Sequence, residues 1–144
     1  MSLTVKDAGF YKLTLDDGND RTLLNWSSAL PMTLKSAAGD SMNDTYADMW
    51  LLYFYVPKGT KTIGLFGGNS GEVRNSAERT VFWRNGRAPN YYSFAVPGGE
   101  DGKLWSLKHG RGAVRLLTVP PRFAHSAAEL LLYAEVIAND AAKE

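Results

Sequence analysis

Three of the four tryptophans and one arginine have the chemistry to hold a flat, hydroxylated ligand. The indole of Trp26, Trp50 or Trp83 could stack on the apolar face of a sugar ring, because a large rigid ring buries area at little entropic cost. Arg87 follows the Asn85-Gly86 pair and could donate two parallel hydrogen bonds to adjacent hydroxyls. We therefore predict a ligand-binding site that comprises Trp26, Trp50, Trp83 and Arg87.

The same kinds of side chain also have a structural interpretation. Trp105 shares a predicted strand face with Leu107, and the alternation of side chains along a strand places it in the core. Trp83 shares a face with Val81 beside a turn, which suits a core residue as well as a ligand-stacking one. For the other two tryptophans, packing at the rim of the fold remains an alternative, as does a solvated turn for the arginine.

Two oxygen-rich runs could supply ligands to a calcium ion. Their members are Asp16, Asp17, Asn19 and Asp20 in the first run, and Asp40, Asn43, Asp44 and Asp48 in the second. Calcium takes about six to eight oxygen ligands, but neither run has the EF-hand pattern that ends in glutamate. Turn-forming composition is the simpler explanation of both runs. We expect no cofactor, with a structural calcium ion as the alternative.

The sequence contains no recognisable catalytic motif. The sequence contains no cysteine, and the spacing of its two histidines, His109 and His125, matches no helical metal motif. The serine of the loop Gly67 to Gly71 does not stand in a Gly-x-Ser-x-Gly motif. Two carboxylates about 5–10 Å apart would suffice for a glycosidase, so the 15 acidic residues leave that alternative open. We predict that the chain is not an enzyme.

Length and charge restrict the partners. The 144 residues fit a single domain, 1–144, which we interpret as a module excised from a longer protein. The 16 basic and 15 acidic residues nearly cancel, whereas nucleic acid and anionic membranes require a clustered positive field. No apolar run reaches the roughly 18 residues of a membrane span. We expect neither nucleic-acid binding nor membrane insertion.

Short runs of β-branched and aromatic residues between turn signals predict an all-β chain. The predicted strands are 10–15, 30–34, 51–56, 61–66, 79–84, 91–96, 104–108 and 113–119. The proline in 30–34 indicates an edge strand or the start of a strand. The run 51–56 is nearly all apolar, which predicts a strand that is covered on both faces. The segment Gly67 to Gly71 is predicted to be a flexible loop. Three hairpins are expected, joining 51–56 to 61–66, 79–84 to 91–96 across Asn85-Gly86, and 104–108 to 113–119. This density of strands indicates an antiparallel β-sandwich.

One helical element is expected near the C-terminus. Ser126 and Glu129 have the spacing of a capping box, so the main helical turn should begin near Ser126. Apolar residues of the central strands should be buried. These are Phe54, Val56, Ile63, Leu65, Trp105, Leu107, Leu116 and Val119.

The sequence resembles a family of bacterial accessory modules. The stretch Tyr53 to Thr60, followed by Ile63-Gly64-Leu65-Phe66, is similar to the jelly-roll modules of the galactose-binding-domain-like fold. The stretches Gly102 to Leu107, Val119-Pro120-Pro121 and Ser126 to Leu132 look like the closing half of the same module. These modules belong to large secreted or envelope proteins, and their binding loops vary, so no ligand residue transfers.

The resemblance implies a non-catalytic carbohydrate-binding accessory module in an extracytoplasmic protein. Its partner would be a glycan or a neighbouring domain of the parent protein. The same fold also hosts protein-interaction and spacer domains that have no sugar ligand. The exposure of apolar side chains discriminates carbohydrate binding from protein interaction. Solvent-facing aromatic rings beside polar groups favour a sugar ligand, whereas a broad apolar patch favours a protein partner.

Overall fold

The computed structural model describes residues 4–14, 18, 27, 29–36, 50–68, 70–86, 88–110 and 114–143. Its strands, in chain order, are β1 (Thr33–Lys35), β2 (Trp50–Val56), β3 (Thr62–Gly67), β4 (Ser70–Arg74), β5 (Thr80–Asn85), β6 (Asn90–Ala95), β7 (Lys103–Gly110), β8 (Val114–Leu116) and β9 (Arg122–Ala124). A 3₁₀ turn at Ala127–Glu129 and one α-helix, α1 (Ala134–Ala141), follow the last strand. No helix in these ranges is long and apolar enough to cross a membrane.

The strands form two antiparallel sheets. The larger sheet has six strands in the order β1-β9-β2-β7-β4-β5, and the smaller sheet has three in the order β6-β3-β8. From β2 onward, consecutive strands lie in different sheets except at β4 and β5. The chain is therefore an all-β sandwich with one short C-terminal helix, as predicted, and this alternation is compatible with a jelly roll.

All three predicted hairpins are wrong. β2 pairs with β7 and β9, β5 pairs with β4, and β7 pairs with β2 and β4. A turn signal such as Asn85-Gly86 bends the chain, but it does not decide whether the next strand stays in the sheet or crosses about 10 Å to the facing one. Crossing sets the apolar faces of consecutive strands against each other, which buries both faces.

Among the described strands, a hairpin joins β4 to β5, and β4 overlaps the segment predicted as a flexible loop. Asn75 Oδ1 accepts the N–H groups of Ala77 at 3.1 Å and of Arg79 at 3.0 Å. Glu78 has a φ of 58°, a left-handed conformation that non-glycine residues adopt at a cost. The turn was not predicted because an Asx turn at Asn75 does not need glycine or proline.

The first predicted strand is also wrong where it can be described. Residues 10–14 are not in a strand, and Phe10 is 89% exposed. Alternation of apolar residues does not make a strand without a partner for its backbone groups. The strand predicted at 30–34 forms later, as β1, two residues after Pro31. Its predicted edge position is confirmed, because β1 lies at the edge of the larger sheet.

The core lies between the two sheets. All eight residues predicted to be buried are at most 6% exposed, which confirms the prediction. Phe54 lies at the centre, with ring centroids 6.5 Å from Trp105 and 6.0 Å from Phe123. Phe82 of the larger sheet and Phe94 of the smaller sheet stack at 4.7 Å, so aromatic packing also joins the two layers.

The C-terminal segment differs from the predicted capping box. Glu129 N–H donates to the Ser126 carbonyl at 3.2 Å, but the Ser126 side chain makes no cap hydrogen bond. The main helix is α1, which begins at Ala134 rather than near Ser126. The short turn stops early because Leu130 is already extended.

This C-terminal segment covers half of the outer face of the larger sheet. Thr33 Oγ1 donates to Glu129 O at 2.7 Å and accepts Leu131 N–H at 2.8 Å. The Arg122 guanidinium lies 3.9 Å from the centre of the Tyr133 ring. The segment therefore lies along the outer face of β1, β9 and β2.

Candidate functional site

The structure describes only part of the predicted ligand site. Trp83 lies on β5 opposite Glu72 of β4, and it is 52% exposed on the outer face of the larger sheet. Trp50 is the first residue of β2, opposite Gly110, and its side chain lies outside the described residues. Trp26 and Arg87 also lie outside them. The four-residue site stays a prediction.

Both oxygen-rich runs proposed for calcium lie outside the described residues as well. Within the part of the chain that is described, no group of three or more histidine, aspartate or glutamate side chains could hold a metal ion.

A groove of about 510 Å³ opens on the outer face of the larger sheet, beside the C-terminal segment. Side chains from three parts of the chain form most of its surface, and these are Tyr53 and Tyr55 of β2, Leu104 and Lys103 of β7, and Ser76 and Glu78 of the β4–β5 turn. The pairing of β7 with both β2 and β4 brings these three parts together. We take this groove as the candidate site.

The aromatic wall of the groove follows from the alternation within β2. Leu52, Phe54 and Val56 are fully buried between the sheets, so Tyr53 and Tyr55 point to the outer face. Along a strand, side chains two residues apart are separated by about 7 Å. The sequence interpretation missed this wall because it treated the whole run as covered on both faces, although the two tyrosines alternate with apolar residues.

The two tyrosine hydroxyls are in different environments. Tyr55 Oη donates to Asp140 Oδ2 at 2.6 Å. Burial is the largest cause that raises the pKa of Tyr55 to about 12, and this hydrogen bond to a carboxylate is the second. The Tyr53 hydroxyl has no hydrogen-bond partner among the described residues. Tyr55 therefore offers the groove its ring, whereas Tyr53 offers both a ring and a hydroxyl.

The opposite wall is polar and is organised by Glu100, which is 8% exposed. Ser76 Oγ donates to Glu100 Oε2 at 2.9 Å, and Lys103 Nζ lies 3.9 Å from Oε1. The Glu100 carbonyl accepts the Trp105 indole N–H at 2.8 Å, which fixes this residue to the core. The exposed groups at the rim are thereby held in place by a buried anion.

Glu78 completes the rim of the groove. Its side chain is 59% exposed and its carboxylate lies 3.7 Å from Arg74 Nη1. Its left-handed backbone is of the strained kind that concentrates at ligand-binding positions. Glu78 thus presents a carboxylate acceptor opposite the tyrosine rings, from a backbone that the Asn75 turn fixes.

An ion-paired cluster separates the groove from Trp83. Glu72 is 5% exposed. Its carboxylate accepts hydrogen bonds from Arg74 Nη2 at 2.6 Å and from Thr80 Oγ1 at 2.6 Å. The hydrogen bond to Glu72 raises the pKa of Arg74, so the guanidinium remains charged. The described outer face therefore carries a tyrosine groove at β2 and an exposed tryptophan at the β5 edge.

A scan against protein-family models, a search of curated proteins and a search of solved structures each found no match to this chain. The interpretation of the groove therefore depends on its own geometry.

Proposed function

We propose that this chain is a non-catalytic carbohydrate-binding module and that its glycan lies in the groove beside β2. The observation that carries the proposal is a groove lined by two outward tyrosines together with a serine, a lysine and a glutamate. Sugars have apolar faces and hydroxyl edges, so a site with rings on one side and mixed donors and acceptors on the other matches both surfaces.

The charges at the groove also suit a neutral ligand. The Glu78 carboxylate and the Lys103 ammonium ion oppose each other in sign, and the whole chain has a formal net charge of only +1. Among the described residues that line the groove, Glu78 carries a carboxylate, and the Glu100 carboxylate lies behind Ser76 and Lys103.

The finer identity that we propose is a galactose-binding-domain-like accessory module of a larger extracytoplasmic bacterial protein. The support is the sequence resemblance described above, together with strands that alternate between two antiparallel sheets.

A second candidate is a protein-interaction or spacer domain. The observation that favours it is the N-terminal segment, where Val5 is 58%, Phe10 89% and Tyr11 60% exposed. Large apolar side chains left in solvent are typical of surfaces that dock against another protein or domain. This segment would serve a neighbouring domain of the parent protein without using the groove.

A glycan array, followed by titration of the best ligand, tests the proposed function. Tyr53→Ala and Glu78→Gln should each weaken binding, Tyr53→Ala by about 1–3 kcal/mol, as for other aromatic anchors. Tyr11→Ala is the matched control, because it removes an exposed tyrosine remote in sequence from the groove and should bind like the wild type. The exposed Glu78 side chain can be changed without emptying the core, so this variant keeps the test valid if Tyr53→Ala unfolds. An array without a ligand, or normal binding by both groove variants, would contradict the proposal.

A further inference from the structure

A second group of aromatic and charged side chains lies on the outer face of the smaller sheet. Tyr91 of β6 pairs with Phe66 of β3, and Phe66 pairs with Arg115 of β8. The alternation of β3 directs Ile63 and Leu65 into the core, so Phe66 and its two partners lie on the opposite, outer face. The three side chains form one row across all three strands.

The row presents a ring to solvent. Tyr91 is 73% exposed, and its ring centroid lies 4.7 Å from that of Phe66, with the two planes inclined at 47°. The next residue on this face of β6 is the exposed Ser93, whose partner on β3 is Gly64. Gly64 is buried under the Thr118 side chain, so the exposed Ser93 is the small residue that stands beside Tyr91.

Among the described strands of this face, the charge is positive. The strands of the smaller sheet read TIGLFG, NYYSFA and VRL, so Arg115 is their only charged residue and none of them carries a carboxylate. Among the described residues, Arg115 makes no ion pair. A guanidinium beside exposed aromatic rings, with no acid of its own, matches a ligand that has a flat apolar face and a carboxylate.

We propose that the row of Tyr91, Phe66 and Arg115 is a second ligand site, which binds a carboxylate-bearing sugar such as a uronic acid residue. The sugar ring stacks on the exposed ring of Tyr91, which packs against Phe66, and its carboxylate accepts two parallel hydrogen bonds from Arg115. A nucleic acid fits less well, because a polyphosphate needs several cations and this sheet supplies one. The site does not depend on the groove, which lies on the other sheet.

Affinity electrophoresis through gels that contain polygalacturonate, alginate or hyaluronate tests the proposal. Gels with the carboxyl-reduced form of each polymer serve as the neutral reference. The wild-type chain should be retarded by at least one acidic polymer and not by its reduced form. Tyr91→Ala should weaken this binding about five- to tenfold, and Arg115→Gln about tenfold, whereas Tyr11→Ala should have no effect. Both substitutions of the row are on the surface, so their melting temperatures should stay close to that of the wild type.

Each other outcome overturns the second site. Absence of retardation by every acidic polymer, or equal retardation by the reduced forms, removes the carboxylate from recognition. Loss of binding with Arg115→Gln but not with Tyr91→Ala shows charge attraction without stacking. Loss with Tyr53→Ala but not with Tyr91→Ala places the acidic sugar in the groove, which would leave the proposed function intact while contradicting the second site.

Discussion

Asp140 shows how one side chain connects the C-terminal helix to the sandwich. It is 6% exposed, and it accepts hydrogen bonds from Tyr55 Oη at 2.6 Å and from the backbone N–H of Lys58 at 3.1 Å. Two parts of the chain that are 85 residues apart in sequence thus meet at one carboxylate. Tyr55 therefore has two roles, because its hydroxyl anchors α1 while its ring forms part of the groove.

Tyr55→Phe should lower the free energy of unfolding by about 1 kcal/mol, since it removes a hydrogen bond to a charged acceptor at a half-buried position. Tyr53→Phe is the matched control. It removes a hydroxyl without a partner among the described residues and should change the stability by less than about 0.5 kcal/mol. Urea unfolding of the two variants and the wild type measures the difference.

The same hydrogen bond predicts a pH dependence. Folding raises the pKa of Tyr55 from 10.0 to about 12, so the folded state favours the protonated phenol. This contribution is complete below pH 10 and is lost as the pH rises through about 12. The free energy of unfolding of the wild type should therefore fall more steeply in this range than that of Tyr55→Phe. Equal slopes for the two proteins would show that the phenol does not stabilise the fold.

At the level of elements, the positions of the strands could be predicted from sequence far better than their pairing. Runs such as β2, β3 and β7 are marked by apolar composition and flanking turns, which are local properties. Their partners depend on which faces meet across the sandwich, and Asn85-Gly86 carries no information about that. β4 was missed because Gly67 to Gly71 suggests a loop, although Gly71 and Val73 are buried in the six-stranded sheet.

Part of the candidate site could likewise be predicted from the local sequence, and part depends on strand pairing. The two outward tyrosines could have been found from the alternation in β2. Their neighbours Ser76 and Glu78 could not, because only the pairing of β4 with β7 brings that turn to β2. Trp83, predicted as a site residue, lies on the same outer face but at the far edge of the sheet.

The pairing of β3 with β8 can be tested directly. Leu65 and Leu116 are opposite each other in these strands, and they are 1% and 2% exposed. Each change to alanine should lower the free energy of unfolding by about 2–5 kcal/mol, because apolar burial is lost and a cavity remains. The double variant should cost less than the sum of the single variants, because the two cavities merge. A loss under about 0.5 kcal/mol for both single variants would show that the strand assignment is wrong.

At the level of the whole molecule, the two sheets leave different outer surfaces for ligands. The C-terminal segment covers the β1, β9 and β2 half of the larger sheet, and the groove opens where this cover ends. The smaller sheet presents its row of two rings and a guanidinium on the opposite side. Because both surfaces rest on a core of residues that are nearly inaccessible to solvent, ligand contacts there should not require the fold to rearrange.

The most direct test of the proposed function is to map where a glycan binds. The ¹⁵N-labelled chain is titrated with the strongest ligand from the array, and the backbone amide shifts are followed by NMR. The groove predicts that the largest changes occur at Tyr53, Tyr55, Glu78 and Lys103. Binding with changes confined to residues outside the groove, or no change at saturating glycan, would contradict the account.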